Sequence, residues 1–420
     1  MSGQRVIELR EWQKARRVAL SSHEAKALRA LEHRLDVGWI GANEATVSGK
    51  AGYVGIASLS EQTQIIVRPH IPIASVLELA CYAYELEPPT RTLIEDARLD
   101  DTGPADWLAF LLTLEVEKLL SVGLRQGYRE VEEEIPYIRG RIDFGAVRWG
   151  ESKPGLVPCR FEDFVVDTAE NQILRGTLEL LSSFPLSDGC RRRLRSVLAA
   201  FGCVKLVQPS SLMFHRIALT RMTSYYEPAL TLCRLILESA GIEMAAGDVS
   251  TPGFFFNMAD VFEKAIERAL SEEFGRENVH HQAPYSDRIR VVEGEPATAV
   301  TFIPDNVIGP KEAPWLIVDA KYKNPMRESW GKEYFHNEDL YQAFTYSASL
   351  DAPAVLVYPR VDREVDARIE CGRNIGTILA IDLESNPLST GMNRLRDHAN
   401  LTERIVGRNT RRGECKLHRA

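Results

Sequence analysis

Across its 420 residues the sequence contains no G-x4-G-K-[ST] phosphate loop, so the chain has no P-loop of its own with which to hold a nucleotide. No apolar run reaches the roughly 18 residues that a membrane-spanning helix needs. The opening MSGQRVIELREWQKARR lacks the basic-then-apolar build of a signal peptide. A cytoplasmic location, with no membrane partner, is therefore expected. The seven cysteines (Cys81, Cys159, Cys190, Cys203, Cys233, Cys371, Cys415) are scattered and odd in number. None sits in a C-x2-C or a Cys/His cluster, which argues against both a zinc site and a disulfide framework and leaves reduced core or surface thiols. Internal repeats and low-complexity tracts are missing as well. So is an excess of positive charge: 51 Lys and Arg against 59 Asp and Glu leave a net charge of −8. Any contact with nucleic acid must then come from a local basic face, or from a partner that supplies much of the grip.

What is present is an ordinary globular composition, 45% hydrophobic and 26% charged, over a length sufficient for two or three domains. Residues 1–100 read as a small β-rich module. Strand patterns at 6–9, 39–40, 45–47, 52–56 and 64–69 have the spacing of a small antiparallel barrel, with helices at 22–31 (N-cap Ser21 or Ser22) and 73–84. No catalytic constellation appears there, so partner binding is the expected role. Residues 101–246 read as a mainly helical middle region. Residues 105–120 are apolar nearly all round, a helix begins after the N-cap Thr168, and another ends at Gly241. One hairpin interrupts this region. Its R-G-R-I-D-F stretch (139–144) places Arg139 and Arg141 either to clamp a phosphate or carboxylate or to pair with Glu132, Glu133 and Glu134. The run Arg191, Arg192, Arg193 and Arg195 is read as a solvated helix face in preference to a DNA contact. A linker at 247–253 opens the last domain, 247–390, and residues 391–420 form a basic tail.

The chemistry concentrates in residues 301–323, TFIPDNVIGPKEAPWLIVDAKYK. This stretch reads as a strand at 301–303, a connection containing Gly309, Pro310 and Pro314, and a buried strand at 315–318 closed by Asp319-Ala320-Lys321. Alternate residues of a strand share a face, so Asp319 and Lys321 point the same way. If the strands pair near Asp305, two carboxylates and an ammonium converge at the end of an apolar sheet. That grouping suits Mg2+, which takes one or two carboxylates plus waters and phosphate oxygens. The competing reading is a strand edge carrying solvated charges. Upstream, apolar residues at 258, 262, 266, 269 and 270 have helical spacing, with Glu263 beside the stripe. Downstream, Gln342 and Tyr346 stand four apart on one helix face. Residues 354–359 and 377–383 read as further core strands.

The pattern P-D-x13-D-x-K resembles the core of the PD-(D/E)xK nuclease superfamily. The resemblance implies a metal-dependent endodeoxyribonuclease using Mg2+, with Mn2+ as a substitute. Its metal ligands would be Asp305, Asp319, the backbone carbonyl of Ala320, and Glu263 from a preceding helix. Lys321 would be the catalytic lysine, and Gln342 and Tyr346 would brace it or touch DNA backbone. The fold class that follows is α+β multidomain: a barrel-like module, a helical middle region and a C-terminal α/β nuclease core.

Further landmarks narrow the resemblance. They are G-Y-V-G-I (52–56), I-I-V-R-P-H-I (65–71), R-G-R-I-D-F, A-E-N-Q-I-L (169–174), Tyr225-Tyr226-x-P-A-L, D-A-K-Y-K and D-L-Y-Q-x3-Y. In this order they resemble the McrC family, nuclease subunits of McrBC-type modification-dependent (5-methylcytosine) restriction systems. Arg68-Pro69-His70 departs from the family, which more often shows a Pro-Lys pair there. The resemblance implies a separate McrB-like AAA+ GTPase hexamer as partner, with double-stranded DNA as substrate. It also implies an N-terminal stalk that stimulates the partner's GTP hydrolysis. The alternative is a non-cleaving assembly or regulatory subunit that uses the nuclease fold only to bind DNA.

Overall fold

The computed structural model describes residues 5–50, 52–99, 102–145, 155–240, 253–290, 299–329, 332–384 and 391–400. The chain forms two compact units, Met1–Pro104 with Glu243–Ala420, and Ala105–Ile242. The N-terminal module and the C-terminal stretch build one unit, because they share a sheet. The apolar strand Gly253–Asn257 pairs antiparallel with Tyr53–Ser58, Phe255 opposite Gly55. Gly55 is what permits this approach: a Cβ there would meet the Phe254 carbonyl oxygen at 2.2 Å. Residues 247–252 of the expected linker, Gly241 and the tail beyond 400 lie outside the described residues.

The strands of the N-terminal module form two open sheets rather than a barrel. One has the order Arg5–Arg10, Thr63–Arg68, Tyr53–Ser58, Gly253–Asn257, and the other Arg16–Ala19, Glu44–Gly49, Leu35–Gly41. The reason is pairing. Arg5–Arg10 runs parallel to Thr63–Arg68, and the distant Gly253–Asn257 takes the far side of Tyr53–Ser58, so no closing strand pair forms among the described residues. Both sheets and the helix Ser22–Ala30 bury one core that includes Ile7, Leu28, Leu35, Val47, Ile65 and Phe255. Ser21 is the N-cap, in a capping box with Glu24.

The second unit is mainly helical, with helices Pro104–Val122, Ala169–Ser182, Asp188–Leu198 and Glu227–Ser239. Two of the sequence landmarks meet in its core. The Tyr226 hydroxyl donates to Asn171 Oδ1 at 2.8 Å and accepts from the Arg125 N–H, while Asn171 Nδ2 donates to the carbonyls of Arg125 and Val166. They therefore act in packing. In the hairpin, Gly127–Ile135 pairs antiparallel with Val157–Val165. Arg139 lies over the Phe161 ring and pairs with Asp163 at 2.9 Å, whereas Glu132 pairs with Arg160 at 2.6 Å. In the basic helix, Arg193 binds both carboxylate oxygens of Glu117.

The C-terminal sheet has the order Val279–His281, Asn306–Ile308, Leu316–Ala320, Ala354–Pro359, Asn374–Ile381, Asp366–Cys371. Its centre is parallel: Leu316–Ala320, Ala354–Pro359 and Asn374–Ile381 run the same way. The helix Asn337–Leu350 makes the crossover between the first two and packs Ala343, Tyr346 and Leu350 against Ile317, Leu356 and Ile378. The helix Met258–Phe274 packs against Val279–His281 and Leu316–Ala320. Among the described residues, no helix is long and apolar enough to cross a membrane.

Candidate active site

Asp305 immediately precedes the strand Asn306–Ile308, which pairs antiparallel with Leu316–Ala320, Asn306 opposite Val318. This corrects the pairing read from sequence. The strand before Pro304, Ala299–Phe302, pairs instead with Tyr285–Arg290 in a separate two-stranded ribbon. Proline lacks the N–H that would carry a ladder through, so the chain changes sheets there and the fully buried Asn306–Ile308 takes the place beside Leu316–Ala320. The convergence expected of the carboxylates nevertheless forms. The Ala320 N–H donates to Asp305 Oδ2 at 2.8 Å, and Lys321 Nζ lies 2.5 Å from Asp319 Oδ2. The Lys321 N–H donates to the Val357 carbonyl at 2.8 Å, fixing the end of the strand.

The electrostatics are those of acids forced together out of water. Asp319 is 2% exposed, and apart from the Lys321 ion pair neither of its carboxylate oxygens has a hydrogen-bond partner among the described residues. Burial raises the Asp305 carboxyl to about 7, and the charges of Asp319 and Glu263 push the same way against Lys321 and the Ala320 N–H. Burial works against the Lys321 ammonium, but Asp319, Asp305 and Asp339 outweigh it and hold the lysine more firmly protonated than usual.

Glu263 lies on the helix Met258–Phe274, near enough to act on Asp305, and accepts a hydrogen bond from Gln282 Nε2 at 2.7 Å. Gln342 is one step removed. Its Nε2 donates to the Tyr346 hydroxyl at 2.7 Å, and that hydroxyl reaches the Ile303 carbonyl at 3.4 Å and feels the charges of Asp319, Lys321 and Asp305.

Two further contributors escape sequence reasoning. Gln282, at φ +45°, donates its N–H to the Asp305 carbonyl and its side chain to Glu263, tying two arms of the cluster. Asp339 accepts from Lys323 Nζ at 2.9 Å and from the Tyr358 hydroxyl at 2.6 Å, anchoring the segment after Lys321 to the crossover helix. Only the second lysine of D-A-K-Y-K hinted at the latter.

Among the described residues, no group of three or more His, Cys, Asp and Glu side chains stands at metal-ligating distance. The donor set of Asp305, Asp319 and the Ala320 carbonyl still fits Mg2+, which is content with one or two carboxylates and completes its shell with water or phosphate oxygen. Asp319, whose buried carboxylate has Lys321 as its sole partner among the described residues, and the raised Asp305 carboxyl mark a site with more buried negative charge than one lysine balances.

Residues 50–359 match the family of McrBC 5-methylcytosine restriction system components. With most of its length matched, the chain belongs to that family. A relative, the type IV methyl-directed restriction enzyme EcoKMcrBC of Escherichia coli strain K12, is 25% identical over 322 residues, covering 74% of this chain and 92% of that protein. The fold is similar to that of a chain in the refined half-complex from the tetradecameric assembly of Thermococcus gammatolerans McrB AAA+ hexamers with bound McrC. There, 93% of this chain and 98% of the other superpose with a TM-score of 0.61 at 16% identity. Within the family, these likenesses are those of a McrC-type subunit.

Proposed function

We propose that this chain is the Mg2+-dependent DNA endonuclease subunit of a modification-dependent restriction complex, built on a PD-(D/E)xK core. The observation that carries the reading is the meeting of Asp305, Asp319 and Lys321 at one end of a buried sheet, where the buried Asp319 carboxylate has no partner among the described residues other than the Lys321 ammonium. Asp305, Asp319 and the Ala320 carbonyl would hold Mg2+, with Glu263 as a further acid. When bound, the ion supplies Lewis-acid polarisation of a phosphodiester and an acidified water. Lys321, kept positive by its carboxylate neighbours, orients the attacking water and meets the charge that builds on the phosphorus oxygens. Gln282 holds Glu263 in place, and Gln342 fixes the Tyr346 hydroxyl beside the cluster.

The partner in this reading is a McrB-like AAA+ GTPase hexamer, as the Thermococcus assembly supports, and the substrate is double-stranded DNA carrying modified cytosine. The module of residues 1–100 engages that partner and stimulates its GTPase. The second reading is a regulatory subunit that binds DNA without cutting; it rests on the Lys321–Asp319 ion pair, which a purely structural role would also hold together. Cleavage of methylated plasmid by the chain with its AAA+ partner and GTP separates the two. Under the first reading cutting requires Mg2+, stops with EDTA and falls about 100-fold or more in Asp319→Asn. GTPase stimulation without cutting at any Mg2+ concentration would favour the second.

A further inference from the structure

The strand Arg5–Arg10 ends at Glu11 and Trp12, and these two residues reach the strand end that carries Lys321. Glu11 is 1% exposed. Its Oε2 accepts from the Tyr322 hydroxyl at 3.2 Å and from the His70 N–H at 3.0 Å, while its Oε1 has no partner among the described residues. Trp12 stands at φ +60°, a left-handed conformation that a bulky side chain adopts only where its surroundings impose it. There its ring lies 4.8 Å from His70 and 5.2 Å from Tyr322. Tyr322 in turn lies 5.7 Å from Phe262. Tyr322 follows Lys321 in the chain and Phe262 precedes Glu263, so each ring is covalently adjacent to a residue of the candidate site.

The same sheet reaches the cluster by a second route. Its strand Gly253–Asn257 continues into the helix Met258–Phe274 without a linker. The Met258 N–H donates to the Gly52 carbonyl at 2.6 Å, and the Asn257 side chain caps the helix at the Ala259 N–H. Glu263 therefore stands early in a helix pinned to the N-terminal sheet. A carboxylate buried with an unpartnered oxygen is costly, and packing alone does not call for one. What Glu11 provides that an apolar residue cannot is a directional acceptor shared by His70 and Tyr322.

We propose that Glu11 is a positioning residue: with Trp12 it fixes Tyr322, and so sets Lys321 against the helix that carries Glu263, making a displacement of the N-terminal sheet felt at the carboxylate cluster. The catalytic consequence rests on the nuclease reading above; the mechanical coupling does not.

The test uses the full chain, with its AAA+ partner and GTP for cleavage and alone for hydrogen exchange. Glu11→Ala is expected to lower kcat about 10- to 100-fold with KM for DNA nearly unchanged, as a small misplacement at a distance from the chemistry does. It should also speed amide exchange in peptides covering 318–323 and 258–264 while leaving 354–359 as in wild type. Glu11→Gln, which keeps an acceptor for both donors, restores most of kcat, and Tyr322→Phe, which keeps the ring without the hydroxyl, falls between. Wild-type kcat and exchange in Glu11→Ala would overturn the proposal, as would equal impairment of Glu11→Ala and Glu11→Gln. Should Glu11→Ala not fold, a lower kcat in Tyr322→Phe than in Glu11→Gln supports the proposal, and wild-type values in both overturn it. If the wild type never cuts, the nuclease reading fails, and exchange alone decides the coupling: faster at both segments supports it, unchanged overturns it.

Discussion

At the scale of single residues, the molecule keeps acids where water would serve them better. Glu11 carries a pH dependence that can be measured apart from cleavage. Burial raises its carboxyl from 4.5 to about 7 against the pull of the His70 N–H and the Tyr322 hydroxyl. A raised carboxyl binds its proton more tightly in the folded state than in the unfolded one. Its stabilising contribution is therefore complete below 4.5 and is lost as pH rises through about 7. Glu11→Gln, neutral at every pH, should gain stability on wild type across that window, by at most ~3 kcal/mol. Denaturant melts of both proteins across the window check this, and parallel stability curves would contradict it. Gln282 offers a second measurement. Gln282→Ala removes the donor to Glu263 but keeps the N–H to the Asp305 carbonyl. A loss of about tenfold in kcat, with a rise in the Mg2+ concentration for half-maximal cutting, is expected in cleavage assays.

At the scale of elements, local signals and long-range pairing part company. The strand Leu316–Ala320 is legible because a continuous apolar run ends in alternating charges, and alternation alone places Asp319 beside Lys321. The helices Met258–Phe274 and Asn337–Leu350 follow from their spacing, and Ser21 and Thr168 are the N-caps that their residue types promise. The strand opposite Asp319 is not legible. TFI before Pro304 and NVI after Asp305 are equally short and apolar, and only the assembled sheet chooses the second. Nor does any local pattern tell that Gly253–Asn257 closes onto the N-terminal sheet, or that a glutamate at the end of the first strand meets a tyrosine 311 positions away. Gly55 tests that junction. Gly55→Val drives its side chain into the Phe254 carbonyl, so the strand pair must part. A loss of about 1–3 kcal/mol is expected by denaturant melting. Because the strand so displaced leads into the Glu263 helix, cleavage should fall with it. A variant as stable as wild type would mean that the sheet tolerates separation there.

At the scale of the whole molecule, the proposed function leaves much of the grip on DNA to the AAA+ partner. It carries a net charge of −8 and no P-loop, and its acidic cluster belongs to the same compact unit as the module assigned to partner binding. Duplex DNA should therefore bind the isolated chain no more tightly than ordinary non-specific contacts, with dissociation constants of about 1 μM or weaker at physiological salt, and tighten when the AAA+ partner is added. Fluorescence anisotropy with and without the partner checks this. The most direct test of the central claim is plasmid cleavage in Mg2+, wild type against Lys321→Ala, each with the cognate partner and GTP on methylated DNA. Cutting by wild type is expected, with a loss of about 100-fold or more in Lys321→Ala and GTPase stimulation intact. Equal cutting by the two proteins would contradict the central claim.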